Sequence, residues 1–111
     1  MCIFCKIINN EFPSEKVYED DDMIIIKDIN PAADIHLLAI PKKHIKTINH
    51  LEDEDEELMG KLVLRIPTIA EELGFADNGY KIIVNVGEGG GQSVFHIHFH
   101  ILSGKINRYD F

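Results

Sequence analysis

The sequence predicts an α+β domain built on a mostly antiparallel sheet of five strands, with one long helix and one short helix. Three observations carry that expectation. The strand-like runs are short and do not alternate regularly with helices, which separates the chain from parallel α/β folds. One segment carries an apolar stripe at helical spacing. The length, 111 residues, fits a single domain over 1–111 that buries a core without cross-links.

Taken in order, Phe4 to Asn9 reads as one or two helical turns. Glu15 to Glu19 and Met23 to Lys27 read as two strands around an Asp20-Asp21-Asp22 turn, a hairpin. Ile35 to Ile40 is a buried strand stopped by Pro41. The run Glu52 to Glu57 holds six consecutive carboxylates. Acidic residues belong in the first turn of a helix, where the dipole favours them, so the run reads as a solvated helix start and not a metal site. Leu58, Leu62, Ile66, Ile69 and Leu73 then recur at steps of four, four, three and four, forming the apolar stripe. Gly74 supplies the stop. Pro67 inside the pattern predicts a kink or a lost hydrogen bond near Val63. Tyr80 to Val86 and Val94 to Leu102 complete the strands.

Composition narrows the function. Hydrophobic residues at 45% and charged residues at 27% are ordinary for a soluble chain. With 11 basic against 19 acidic side chains, net −8, the chain lacks the cationic surplus that long nucleic acids or anionic membranes require. No run approaches the ~18 apolar residues of a membrane span, and no secretory signal is visible. The default compartment is the cytosol, where two cysteines stay reduced.

The most informative segment is Ser93-Val94-Phe95-His96-Ile97-His98-Phe99-His100-Ile101-Leu102. On a strand, alternate side chains share a face. Phe95, Ile97, Phe99 and Ile101 then form an apolar core face, and His96, His98 and His100 share the other. Three readings compete: polar residues on a solvated face, a metal site with a third group beside His-x-His, or an imidazole nucleophile helped by its neighbours. Three of six histidines at strict alternation argue against the first. Upstream, Gly87-Glu88-Gly89-Gly90-Gly91-Gln92-Ser93 offers backbone N–H groups and polar donors that suit a phosphoryl centre. It lacks the last glycine of a dinucleotide fingerprint and the Walker lysine.

Gly91 to Leu102 resembles the signature of the histidine triad nucleotide-binding family. The resemblance extends to Cys2-Ile3-Phe4-Cys5-Lys6-Ile7-Ile8, to Asp28-Ile29-Asn30-Pro31, to His36 through His44, and to Asn85. It covers nearly the whole chain and points to the branch that hydrolyses purine nucleoside phosphoramidates. It implies a homodimer that joins two five-stranded sheets into one of ten strands.

The resemblance also assigns roles. His98, the middle histidine, becomes the nucleophile that attacks the α-phosphorus of a nucleoside 5′-phosphoramidate and carries a nucleotidyl intermediate. His100 contacts phosphate oxygen, His96 helps fix the site, and His36 supports the triad from behind. Ser93 and Gln92 bind phosphate and leaving group, with Asn85 and the Gly91 backbone as further donors. Asp28 accepts from the ribose hydroxyls. Ile3, Phe4, Ile7 and Ile26 are candidates for the slot around the base.

Cys2-x-x-Cys5 alone is half a zinc site. The resemblance adds His44 and His96 to Cys2 and Cys5, a closed Cys₂His₂ set for a structural zinc; the other reading is two reduced thiols that bind nothing. The remaining alternatives are a dinucleoside polyphosphate hydrolase or nucleotidyl transferase, a nucleotide-binding interaction protein with little catalysis, and a zinc hydrolase built on the triad. The end of the chain, Lys105 to Phe111, lacks the tryptophan that closes over the neighbouring site in some relatives, which leaves leaving-group preference open. His50 reads as a surface residue. The expected ligand is a purine mononucleotide or its phosphoramidate.

Overall fold

The computed structural model describes residues 2–109. The order of elements is α1 (Ile3–Ile8), β1 (Lys16–Glu19), β2 (Met23–Lys27), β3 (Ala33–Pro41), α2 (Glu56–Glu72), β4 (Lys81–Ile83) and β5 (Phe99–Ile106). The strands form one five-stranded sheet in the order β1-β2-β3-β5-β4, and every neighbouring pair is antiparallel. Asp110 and Phe111, part of the tryptophan-free tail, lie outside the described residues.

Strand alternation divides the side chains between two layers. Met23, Ile25, Leu37, Ala39, Phe99 and Ile101 pack with Leu62, Ile66, Ile69 and Ala70 of α2 and with Phe75. Ile24, Ile26, Leu38 and Ile40 point the other way and pack under Phe4 and Ile7 of α1. One face of the sheet is therefore covered by 17 helical residues and the other by six.

The α2 stripe holds at its centre and fails at its end: Leu73 is 48% exposed. The helix has already ended there. Gly74 takes φ +83°, and the N–H groups of Phe75 and Ala76 both donate to the Ala70 carbonyl, at 2.9 and 3.1 Å. Pro67 lies on the exposed side, and the helix runs through it without interruption. The acidic run is solvated except at Asp55, which is buried and held by Lys43 Nζ at 2.5 Å.

Three strands differ from expectation by more than one residue. β3 begins at Ala33, two residues early, and takes in Pro41, which pairs with Met23 as the last residue of the strand and does not stop it at Ile40. β4 covers only Lys81–Ile83 of the expected Tyr80–Val86. β5 starts at Phe99, five residues later than expected, and runs on to Ile106. The reason is that the polar groups of 92–98 go elsewhere than to a strand ladder. Gln92 Nε2 donates to the carbonyls of Lys46 and Val94, the Ile97 N–H donates to the Ile45 carbonyl, and two histidine side chains take backbone carbonyls. The bend at 94–96 turns Phe95 outward, 43% exposed, so it is not a core residue as its alternation predicted. Ile97, Phe99 and Ile101 keep their place in the core.

Candidate active site

The face under α1 gathers the histidines. His36 comes from β3 and His100 from β5; His96 and His98 come from the irregular segment that leads into β5. All four are buried. His36, His96 and His98 each have one nitrogen fixed by a backbone group of known polarity, which determines the tautomer, and that of His100 follows from His36.

His98 Nδ1 lies 2.8 Å from the carbonyl oxygen of His96. A carbonyl only accepts, so Nδ1 carries the proton and Nε2 carries the lone pair. His100 is set the opposite way. The Ala32 N–H donates to His36 Nδ1 at 2.9 Å, which puts the His36 proton on Nε2. That Nε2–H donates to His100 Nδ1 at 2.9 Å, so neutral His100 carries its proton on Nε2. Two imidazoles with ring centroids 5.0 Å apart are thus prepared for opposite work, one to give an electron pair and one to donate a hydrogen bond.

Burial pushes the pKa of His36, His96 and His98 below the usual histidine value, because the charged ring loses its hydration. His100 is pushed down to about 4 by the same burial, with His98 and His36 adding to it. The Asp28 carboxylate pulls His36 the other way from 3.4 Å. The rings are neutral at pH 7, as a nucleophile and a neutral donor require.

Asp28, His36 and His100 also have the ligand types and proximity of a metal cluster. The Ala32 N–H on His36 Nδ1 argues against that use. A cation on Nε2 would need Nδ1 protonated or the ring ionised to imidazolate, and Nδ1 already accepts. The group is a hydrogen-bond relay.

Cys2, Cys5, His44 and His96 converge differently. Sulfur to nitrogen distances run from 3.3 to 3.7 Å, and the two Nδ1 atoms are 3.1 Å apart. Zn–S of ~2.3 Å and Zn–N of ~2.0–2.1 Å around a tetrahedron need about 3.6 Å for S···N and about 3.3 Å for N···N. His96 Nε2–H donates to the Pro41 carbonyl at 2.7 Å, which turns the Nδ1 lone pair toward the sulfurs. Burial and Cys2 raise the Cys5 thiol pKa, so a bare thiolate is disfavoured there. Donor type, spacing and tautomer all fit a zinc-sized dication.

A cavity of about 240 Å³ opens beside the triad. It is lined by His98, His100, Ser93, Asp28 and the apolar Ile3, Phe4, Ile7 and Ile26, so eight of the residues expected at the site meet in one place. Phe12, Pro13, Ser14, Lys27, Ile29, Leu38 and Val94 complete the walls and were not anticipated. Val94 and Ile29 are chain neighbours of Ser93 and Asp28, which was the available signal; Phe12-Pro13-Ser14 carried none. A larger cavity of about 330 Å³ also touches Asp28 and His36, but it opens beside Leu73 and Phe75 and holds neither His98 nor Ser93.

Gln92, Asn85 and Gly91 do not line the triad cavity. Gln92 is buried, accepts from the Gly87 N–H at 2.9 Å and donates to Lys46 and Val94. Asn85 Nδ2 donates to the Gly90 carbonyl at 2.8 Å. Gly91 sits at φ +84°, where glycine is favoured. These three belong to the loop that presents Ser93, and Gln92 braces it with its side-chain bonds. His50 is exposed, as expected.

Comparison with known proteins places this geometry. The family model described as scavenger mRNA decapping enzyme C-term binding matches residues 1–108. The chain is 52% identical over 105 residues to Protein HitA of Neisseria gonorrhoeae, covering 95% of this chain and 97% of that protein. It is 44% identical over 103 residues to the purine nucleoside phosphoramidase of Escherichia coli K12, covering 93% and 87%. Among solved structures it resembles a HIT family hydrolase from Legionella pneumophila, with TM-score 0.92, 44% identity and coverage of 98% and 97%. A histidine triad protein from Clostridium difficile superposes with TM-score 0.91 at 45% identity, covering 97% and 95%.

Proposed function

Because the chain belongs to the histidine triad family and is one of its hydrolases, we propose that it cleaves the P–N bond of purine nucleoside 5′-phosphoramidates, releasing AMP from adenosine 5′-phosphoramidate. The observation that carries this reading is the opposed tautomers of His98 and His100. The His98 Nε2 pair attacks the α-phosphorus, the P–N bond to the leaving amine breaks, and that nitrogen departs with the bonding pair and takes up a proton. Water then attacks the nucleotidyl-histidine, releases the monophosphate and restores the imidazole. One hard displacement becomes two easier ones. The His100 Nε2–H donates to the phosphoryl oxygen as charge builds on it, and the relay from Ala32 through His36 holds that proton in place.

Asp28 accepts from the ribose hydroxyls, Ile3, Phe4, Ile7 and Ile26 flank the base, and Ser93 stands at the departing nitrogen. Cys2, Cys5, His44 and His96 hold a structural zinc; four protein ligands leave no position for water, so the metal supplies rigidity and no chemistry. The protein works as a homodimer with a ten-stranded sheet, supported by exposed Ile82 on edge strand β4 and by Val63 and Leu64 on α2. Its compartment is the cytosol; among the described residues no helix is long and apolar enough to cross a membrane.

The test is to quench a reaction with adenosine 5′-phosphoramidate and locate the phosphorus-linked adduct by mass spectrometry. The expected result is an adenylyl group on His98, absent from His98→Ala together with turnover. Full turnover in His98→Ala overturns the reading.

A further inference from the structure

Helix α1 has two edges with different neighbours. Cys2 and Cys5 face His44 and His96. Ile3, Phe4 and Ile7, interleaved with them, form one wall of the triad cavity. Phe4 lies between the two systems: its ring centroid is 6.0 Å from that of His96 and 5.0 Å from that of His98, edge-on to both. Six residues are too few for a helix stable on its own, so α1 depends on what anchors it. Its sheet-side anchors are Phe4 and Ile7. Its N-terminal turn is tied through the sulfurs, Cys2 Sγ accepting from the Cys5 N–H at 3.2 Å.

We propose that the Cys2/Cys5/His44/His96 cluster is a clasp on the base-binding wall: metal occupancy fixes α1 and thereby sets affinity for the nucleoside part of the substrate. This rests on the cluster holding a metal, as read above. The His98 Nδ1–H is held by the backbone carbonyl of His96, whereas only the His96 ring faces the cluster, so the clasp acts on binding before it acts on chemistry. His44 is the ligand to perturb. It is exposed and lies outside the cavity, so its removal opens the cluster without altering the wall's side chains.

The experiment measures metal content, then the affinities for AMP and for ribose 5-phosphate, which lacks the base. Wild-type protein with zinc bound, the same protein after chelation, and His44→Ala are compared. A native-like circular dichroism spectrum is required of each, and chelated wild type remains the test if His44→Ala misfolds. The expected result is one zinc per wild-type chain and AMP affinity about tenfold weaker in both opened forms, the scale of one apolar side chain's contribution. Ribose 5-phosphate affinity stays constant, and amides of residues 3–8 exchange faster with deuterium. Zinc bound with AMP affinity unchanged on its removal overturns the clasp and leaves the metal site standing. No zinc in any form overturns both. Equal losses for AMP and ribose 5-phosphate overturn a base-wall role.

Discussion

The two faces of one sheet are built for different ends. On one, Leu37, Ala39, Phe99 and Ile101 meet the long helix α2 and bury hydrocarbon against hydrocarbon. On the other, the alternating positions of the same strands carry His36 and His100, and a six-residue helix covers them only in part. The first face stabilises; the second holds polar rings buried beside a cavity of about 240 Å³, which stabilises less. A sheet with a two-residue period lets neighbouring residues of one strand serve both ends without compromise.

Substitutions on the two faces should separate accordingly. His98→Ala is expected to lower kcat at least about 10⁴-fold, the scale of a lost nucleophile. Its melting temperature should stay near that of the wild type, measured by steady-state assay beside calorimetry. Phe75→Ala on the α2 face is expected to do the reverse, costing about 3–5 kcal/mol in urea unfolding. kcat per folded molecule should be unchanged. Equal behaviour of the two variants would erase the distinction between the faces.

Acid should act on the histidine face. His100 has a folded pKa of about 4 against an ordinary value of 6.5, so below pH 6.5 the unfolded chain binds more protons than the folded one. Stability is full above pH 6.5 and falls as pH drops toward 4, by about 3 kcal/mol from this group. Urea midpoints of wild type and His100→Gln across that range would show it; parallel curves would count against a buried neutral His100. His36→Ala is expected to reduce kcat about 10- to 100-fold by releasing the His100 proton from its fixed position, with KM little changed. Leu73→Ala should move stability by less than about 0.5 kcal/mol, since the side chain lies beyond the helix end.

The stabilising face was the easier to read from sequence. The α2 stripe and strands β1 to β3 follow from period alone, because burial of hydrocarbon leaves a repeating pattern. The pattern fails where polar groups find partners across the chain. Gln92 Nε2 goes to the Lys46 carbonyl, His96 Nε2 to the Pro41 carbonyl and the Ile97 N–H to the Ile45 carbonyl, and no local pattern encodes such partners, so the strand starts later than alternation predicts and Phe95 leaves the core. The same contacts account for Gln92, which has the chemistry of a phosphate donor and spends it bracing a loop. For the candidate site, the sequence named residues that the fold brings together, and their tautomers were not legible in it. Those depend on the Ala32 N–H and the His96 carbonyl, which only the fold brings into place.

The opposed tautomers are open to direct observation. Imidazole ¹⁵N chemical shifts at pH 7, assigned to single rings, report which nitrogen of each histidine carries the proton. The expected result is His98 protonated at Nδ1 with a bare Nε2, His36 and His100 protonated at Nε2, and no ring charged. His98 and His100 in the same tautomer, or either one as imidazolium at pH 7, would contradict the division of nucleophile from donor.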